Sequence, residues 1–448
     1  MQAPAGAVAT TLVQTRRKPR GLTLAPLIAA TYFMVSGGPY GLEELIGDAG
    51  YRQTFVILLL TPLLWSLPTA LMVGELSSAL PETGGYYVWV RRGLGPFWGF
   101  QEAWLSLAAS IFDMAIYPTL FVTYLSRLYP ALDDKWTGWG IGAAMIAVCA
   151  LWNLRGARSV GGSSLLLAVV LLAPFALMIL FSGMRAAAPA AGGPLAGTGL
   201  FAGISVAMWN YMGWDNASTV AGEVERPQRT YPAAMLVTVI LVTASYVAPV
   251  WAVRRAGLDP ATVSAGTWAA AADAIAGGWL GTLVVIGGMV GAIGTFNALV
   301  MSYAQVPVVL AEDGFLPRVF TRRTARTRSP WVAILVCSGA YALCLGFGFS
   351  RLVLLDVLLY GLSLALEFIA LVVLRIREPG LARPFRVPGG LPGAIAVGVL
   401  PMGLLVAAAF TAAEVLGDRT LALLVGASLA LIGPLLYWAA LRYRRFAL

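Results

Sequence analysis

Long apolar stretches recur along nearly the whole chain and limit what it can fold into more than any other feature. A helix that crosses a bilayer needs about 20 mostly apolar residues. Hydrophobic residues make up 59% of the 448 residues and charged residues 11%. We therefore predict an all-α membrane protein with twelve spans, numbered 1 to 12 below. They lie at residues 24–47, 54–78, 97–124, 138–154, 162–184, 200–222, 232–253, 279–310, 331–349, 352–374, 391–412 and 419–441.

The positions of the basic residues predict how these spans are oriented. Of the 30 lysine and arginine residues, 22 lie in the terminal tails and the even-numbered connections, and eight lie on the other side. Cytoplasmic loops carry the excess of basic residues, so we expect a multi-pass cell-membrane protein with both termini in the cytoplasm. Residues 1–20 are then a cytoplasmic tail. The predicted topology explains the net charge of +9. The charge therefore does not indicate a nucleic-acid partner.

The chemistry of an enzyme is not evident in the sequence. The chain has no histidine, no cysteine–histidine spacing typical of a metal site and no glycine-rich phosphate loop. We expect neither an enzymatic activity nor a cofactor. A nutrient receptor that binds without transporting is an alternative from a different class, although the tails are short for a signalling domain.

Two spans are interrupted by residues that a continuous helix avoids. The breaks are at residues 36–41 (SGGPYG) in span 1 and at residues 209–215 (WNYMGWD) in span 6. This offset of five spans predicts two inverted repeats, residues 21–184 and 185–374, followed by spans 11 and 12 in residues 375–448. Unwound backbone at membrane depth must be satisfied by protein or water, so facing breaks predict a polar site at the midplane. Simple glycine and proline kinks are the alternative interpretation.

Six short motifs carry a resemblance to a known family. They are residues 35–41 (VSGGPYG), 74–86 (GELSSALPETGGY), 209–224 (WNYMGWDNASTVAGEV), 311–317 (AEDGFLP), 366–369 (LEFI) and 383–388 (RPFRVP). The chain resembles the amino acid/polyamine/organocation transporter superfamily, and most closely its polyamine-uptake and L-type amino-acid branch. The resemblance implies a LeuT-like fold of five plus five inverted helices, in which helices 1 and 6 are discontinuous.

Acidic residues within predicted spans need an explanation, because a charge at the bilayer centre costs a few kcal/mol. Asp113 in span 3 and Glu367 in span 10 lie in apolar sequence with no helix end to cap, so we predict that both bind substrate. The resemblance supports Glu367, since span 10 lines the cavity in this fold. Glu102, near the start of span 3, is expected at the membrane interface.

Three further acids lie in or just after the two breaks. Glu43 and Glu44 occupy the first turn after the first break, where acids complement the helix dipole, so capping and a functional role are both open for them. Asp215 is the last residue of the second break, where span 6 resumes, and the resemblance implies proton coupling there because several proton-linked members carry an acid at this position. The chain has no histidine and no lysine in span 5, so a proton relay must use carboxyl groups, for which Asp215 and Glu43 are the candidates. Sodium coupling is not excluded.

Further substrate-binding candidates come from the breaks and from span 8. Aromatic side chains there can close over a solute or stack on its cation, although ordinary packing is the alternative use of each. Asn210 offers an amide contact or an interhelical hydrogen bond. The candidates are Ser36, Gly37, Gly38, Tyr40, Trp209, Asn210, Trp214 and Phe296.

These features predict a secondary active transporter that works by alternating access. We expect proton-coupled uptake of a cationic amine through a site between spans 1, 3, 6, 8 and 10, and a monomer or weak homodimer in the bilayer. A sodium-independent amino-acid exchanger is the alternative within transport. A polyamine carries only ammonium groups and needs several acids, whereas an amino acid also brings a carboxylate. The surplus of acids favours the polyamine.

Overall fold

The computed structural model describes residues 22–132, 134–184, 200–416 and 419–447, and these residues are folded almost entirely into α-helices. The predicted tail at residues 1–20 lies outside the described residues. The helices are α1 (Leu24–Val35), α2 (Leu42–Thr61), α3 (Leu67–Ala79), α4 (Gly85–Leu94), α5 (Pro96–Leu128), α6 (Lys135–Asn153), α7 (Ala157–Met184), α8 (Leu200–Asn210), α9 (Pro227–Arg255), α10 (Thr267–Ala276), α11 (Gly278–Tyr303), α12 (Gln305–Glu312), α13 (Trp331–Leu343), α14 (Phe349–Arg377), α15 (Gly390–Leu416) and α16 (Arg419–Ala447).

Seven helical segments of the described residues are long and apolar enough to cross a membrane. They match seven of the predicted spans. Of the other five, spans 1 and 6 are divided by their breaks, and span 9 is shorter than expected because its helix ends at Leu343. The count of twelve therefore stays a prediction. The seven segments are Leu42–Ala79, Pro96–Leu128, Ser163–Met184, Pro227–Arg255, Gly278–Glu312, Arg351–Arg377 and Gly390–Ala407.

The first predicted break is present in the structure. Helix α1 ends at Val35, and helical geometry resumes only at Leu42. Between them Gly38 and Gly41 have φ angles of +85° and +90°, which lie in the left-handed region. Residues other than glycine rarely adopt this region, so these two glycines allow the chain to turn here.

The second break is also present, and it packs against the end of α1. Helix α8 ends at Asn210, and the chain continues after the break as a 3-10 helix, Asp215–Glu223, where we had expected the span to continue as an α-helix. Gly213, with φ +89°, packs so closely that a Cβ atom on it would lie 2.4 Å from the carbonyl oxygen of Met34. The second break therefore packs against the last turn of α1, directly before the first break.

Two helices occupy connections in which the sequence had not predicted any. Helix α4 follows the GELSSALPETGG motif, and α10 lies in the connection between spans 7 and 8. The alanine-rich sequence of α10 (TWAAAADAIA) has a high intrinsic helix propensity, and its Trp268 is buried. A helix of ten residues is too short to cross a membrane, so hydropathy alone does not reveal it.

Candidate functional site

A small cavity lies where the two breaks meet. Its volume is about 10 Å³, roughly the room of one water molecule. A larger solute therefore requires the surrounding helices to move apart. The lining residues come from α1, α5, the second break, the 3-10 helix that follows it, α11 and α14. They are Met34, Val35, Asp113, Tyr117, Trp209, Met212, Gly213, Asn216, Tyr303 and Tyr360.

Asp113 is the acidic residue of this lining. Its Oδ1 accepts hydrogen bonds from the Tyr117 hydroxyl (2.8 Å) and from Nε1 of Trp209 (3.2 Å), and its Oδ2 accepts one from the Tyr303 hydroxyl (3.3 Å). Tyr117 lies one helical turn after Asp113 on α5, so the two side chains share a helix face. All three donors are neutral, and they orient the carboxyl group without balancing its charge.

Asp215 stands beside the cavity at the start of the 3-10 helix. The Tyr360 hydroxyl donates to its Oδ1, and the same hydroxyl accepts a hydrogen bond from the backbone N–H of Gly213 (3.0 Å). The Tyr360 hydroxyl on α14 therefore forms hydrogen bonds with both the backbone of Gly213 and the carboxyl group of Asp215 in the second break.

Two unpartnered acids lie on the same face of α14 as Tyr360. Asp356, Tyr360, Ser363 and Glu367 are spaced by four, three and four residues, which places them on one side of the helix. Asp356 is 1% exposed and Glu367 is fully buried. Neither carboxyl oxygen of either residue has a hydrogen-bond partner within the described part of the chain. Glu367 does not line the cavity.

Glu102, which we expect near the membrane interface, is fully buried within the helix bundle. Its Oε1 accepts hydrogen bonds from Ser363 (2.6 Å) and Ser106 (3.1 Å). Helix α5 packs against α14 along this face, which covers an acid near the start of α5. The expected position of Glu102 at the membrane interface stays a prediction.

The basic residues of the described ranges do not neutralise these acids. The ion pairs found there join Arg91 to Asp313, Arg92 to Glu378, and both Arg375 and Arg383 to Glu75. A buried carboxylate without a cation is costly, so such groups are protonated or bind a cation from outside the protein. The acids concerned are Glu102, Asp113, Asp215, Asp356 and Glu367.

Several predicted site residues are buried outside the cavity lining. The Tyr40 hydroxyl donates to a backbone carbonyl of α11 (2.6 Å), and Nε1 of Trp214 donates to a carbonyl three residues earlier (2.7 Å). Asn210 uses its amide for a carbonyl of its own helix (2.9 Å). Phe296 packs edge-on against Tyr341. The structure therefore gives these four side chains packing and hydrogen-bonding functions.

The small residues of the first break form a local turn beside the cavity. The Ser36 hydroxyl accepts a hydrogen bond from the Gly38 N–H (3.1 Å), which supports the turn. Gly37 faces α11 closely, since a Cβ atom on it would lie 3.2 Å from the hydroxyl of Thr295.

Glu43 has a capping geometry. Its carboxyl group accepts hydrogen bonds from the N–H groups of Gly41 (2.7 Å) and Gly266 (3.1 Å) and from the Tyr124 hydroxyl. It therefore joins the start of α2 to the connection before α10, away from the cavity. This geometry favours the capping interpretation, and its role in proton coupling stays a prediction.

Four residues of these networks were missing from the sequence analysis. They are Tyr117, Tyr303, Asp356 and Tyr360. A signal for two of them was present, because Asp356 and Tyr360 precede Glu367 by eleven and seven residues, spacings that share a helix face. Tyr303 had no such signal, since only the tertiary contact between α5 and α11 brings it to Asp113.

Comparison with known proteins places this geometry in context. The family model described as amino acid permease matches residues 28–430. The chain is 34% identical over 429 residues to the polyamine transporter RMV1 of Arabidopsis thaliana, covering 94% of this chain and 87% of the relative. It is 35% identical over 391 residues to the polyamine transporter PUT1 of Oryza sativa subsp. japonica, covering 86% and 73%. It is also 25% identical over 340 residues to the serine/threonine exchanger SteT of Bacillus subtilis (strain 168), covering 72% and 75%.

Proposed function

This chain belongs to the amino acid permease family, and from that premise we propose that it takes up a polyamine through the cavity between the two breaks. It is a multi-pass membrane transporter and not an enzyme.

The observation that carries the proposal is the surplus of buried carboxyl groups around the cavity. Asp113 lines it, Asp215 adjoins it, and Asp356 is close enough to both for their charges to repel one another. The ammonium groups of a polyamine are suitable partners, because each offers three N–H donors and one positive charge. Trp209 lines the same cavity and can stack on an ammonium or on the methylene chain beside it.

The backbone of the breaks favours a polyamine over an amino acid. We had expected free N–H groups after each break to bind a substrate carboxylate. The N–H of Gly41 instead donates to Glu43, and that of Gly213 donates to Tyr360. The protein itself uses both amides, so a carboxylate would have to displace these bonds, whereas an ammonium needs only acceptors.

We further propose that the breaks are equivalent positions of two inverted repeats, residues 21–184 and 185–374, in a LeuT-like fold of twelve spans. The contact between Met34 and Gly213 supports this arrangement, because inverted repeats place their discontinuous helices together at the midplane. Spans 11 and 12, in residues 375–448, then lie outside the repeat. Both termini are cytoplasmic in this arrangement.

Proton coupling is proposed to use Asp215. Its carboxyl group touches the second break and is held by the hydroxyl of Tyr360 on α14, so its protonation can alter how these two elements pack. The described residues of α7 include no lysine, and the chain has no histidine. A carboxyl group is therefore the titrating group that this site offers.

Sodium-independent exchange of amino acids is the second candidate function. The similarity to the serine/threonine exchanger SteT supports it. In that case the substrate carboxylate would displace the protein's own acceptors at the breaks.

Uptake into proteoliposomes tests the proposal and separates the two candidates. Labelled putrescine, spermidine, arginine and leucine are supplied to the purified protein, with the pH gradient and the sodium gradient imposed separately. We expect polyamine uptake that follows the pH gradient. Leucine uptake that needs internal amino acid and ignores both gradients would instead establish exchange.

A further inference from the structure

We propose that Glu102 and Glu367 form a second subsite, which binds the far ammonium group of a long polyamine. Ser106, Ser363 and Tyr86 complete this subsite. The inference rests on the proposed polyamine transport and adds what the second acidic pair recognises, namely the length of the substrate.

The subsite is built between α5 and α14. The hydroxyls of Ser363 and Ser106 both lie within donating distance of Oε1 of Glu102, at 2.6 Å and 3.1 Å, and they lie 2.9 Å from each other. Glu367 lies one turn after Ser363 on α14, toward the end of the helix that carries Arg375. The serine pair therefore fixes Glu102 and connects the two helices at this level.

Four oxygen atoms of this subsite have no hydrogen-bond partner within the described ranges. They are Oε2 of Glu102, both carboxyl oxygens of Glu367 and the hydroxyl of Tyr86, and all three side chains are 0% exposed. Tyr86 on α4 lies close enough to Ser106 and to both acids to interact with them electrostatically. A buried polar group without a partner is costly, so this arrangement calls for a ligand that donates several hydrogen bonds.

An ammonium group fits this set of acceptors better than a proton does. A bound proton supplies one donor in addition to the one that the Tyr86 hydroxyl carries. An ammonium group has three N–H donors and a positive charge, so it can satisfy three oxygens and offset one carboxylate. Glu367 also lies close enough to Glu102 and Asp215 for their charges to repel one another, which makes a cation more favourable.

The basic side chains nearest to this subsite along α14 are already engaged. Arg375, two turns after Glu367, donates to both oxygens of Glu75 and to two backbone carbonyls. Arg377 donates to the carbonyl of Gly93 (3.0 Å). The acidic pair is therefore left for a cation that enters from the cavity.

The distance between the two subsites specifies the length of the substrate. Tyr360, which holds Asp215, and Glu367 are seven residues apart on α14, a rise of about 10 Å. An extended chain advances about 3.3–3.6 Å for every three bonds, so about nine bonds are needed to bridge the sites. Spermidine has about nine bonds between its terminal nitrogens and putrescine has about five, by the same counting. A free amino acid, with its charged groups on one carbon, cannot reach both.

A chain-length series on the unmodified protein tests the proposal without any variant. Unlabelled linear diamines of increasing length, together with spermidine, compete with labelled spermidine for the purified transporter. We expect the affinity to rise by about tenfold or more as the chain reaches about nine bonds. An affinity that does not depend on length, or that is highest for putrescine, overturns the second subsite.

Variants then locate the subsite. We expect Glu367→Gln and Glu102→Gln each to raise the KM for spermidine by about ten- to a hundredfold and that for putrescine by less than about threefold. Glu82→Gln, which alters an exposed acid, is the matched control and should change neither. Equal losses for both substrates, no loss for either, or an altered response to protons or sodium at unchanged KM overturns the proposal.

The outcome also distinguishes this inference from the proposed function. If the second subsite is wrong, the wild type still takes up both polyamines and Asp113→Asn still impairs both. If the wild type takes up neither polyamine, the proposed function itself has failed, and the subsite fails with it.

Discussion

Replacing Asp113 with asparagine removes one negative charge from the cavity while keeping the size of the side chain. The carboxyl group accepts three hydrogen bonds, from Tyr117, Trp209 and Tyr303. The asparagine oxygen can keep the two bonds at Oδ1, but its NH₂ group cannot accept the third, which at 3.3 Å is the longest. The main loss is therefore the charge presented to the substrate and not the fold of the site.

The magnitude follows from the kind of bond that is lost. A hydrogen bond to a charged group contributes about 1.5–3 kcal/mol, and about 1.4 kcal/mol corresponds to a tenfold change in Kd. We expect Asp113→Asn to weaken the binding of spermidine by about ten- to a hundredfold. Equilibrium binding of labelled spermidine to the purified protein measures this change directly.

The matched control is Asp134→Asn. Asp134 caps α6, where its Oδ1 accepts hydrogen bonds from the N–H groups of Trp136 and Thr137, both at 3.1 Å. Asparagine caps a helix about as well as aspartate, so this variant should bind spermidine like the wild type. If Asp113→Asn also binds within about twofold of the wild type, Asp113 does not contact the ammonium and the reasoning about the cavity is wrong.

Three further predictions follow from other parts of the structure. Asp215→Asn should flatten the pH dependence of uptake, because it removes the proposed titrating group, and an unchanged pH profile would leave Asp215 a cap only. Glu75→Ala should lower the free energy of unfolding by about 3–5 kcal/mol, because it removes the acidic partner of Arg375 and Arg383, whose side chains are 9% and 2% exposed. An unchanged thermal denaturation temperature would refute this. Gly213→Ala should abolish uptake, because its Cβ would lie 2.4 Å from a backbone oxygen of Met34, whereas Gly339→Ala, with nothing within 4 Å, should not.

The sequence was sufficient to locate the breaks and part of the cavity. Glycine and proline mark both interruptions, because they remove helical hydrogen bonds or permit left-handed backbone whatever the surroundings. Asp113 and Trp209 were likewise predicted for the site, and both line the cavity. These predictions depend on local chemistry, and hydropathy adds the membrane environment.

The remaining features depend on tertiary contacts that no local pattern encodes. Glu102 is buried because α14 covers it, and Tyr303 reaches Asp113 only because α11 packs against α5. The expected free amides at the breaks are occupied, since the Glu43 carboxyl group accepts from the N–H of Gly41 and the Tyr360 hydroxyl accepts from that of Gly213. Asp356 was overlooked, although its spacing from Glu367 places the two on one helix face.

The central claim is that buried carboxyl groups of this transporter are partners for the ammonium groups of its substrate. Competition of unlabelled spermidine, arginine and leucine against labelled spermidine, on the purified wild-type protein at one pH and salt concentration, tests it most directly. We expect spermidine to bind most tightly and arginine more weakly. Leucine should compete least, by about a hundredfold or more, because it offers a single ammonium and a carboxylate that the acids repel. Leucine that binds as tightly as spermidine or more tightly would contradict the account and make a general amino-acid permease the better description.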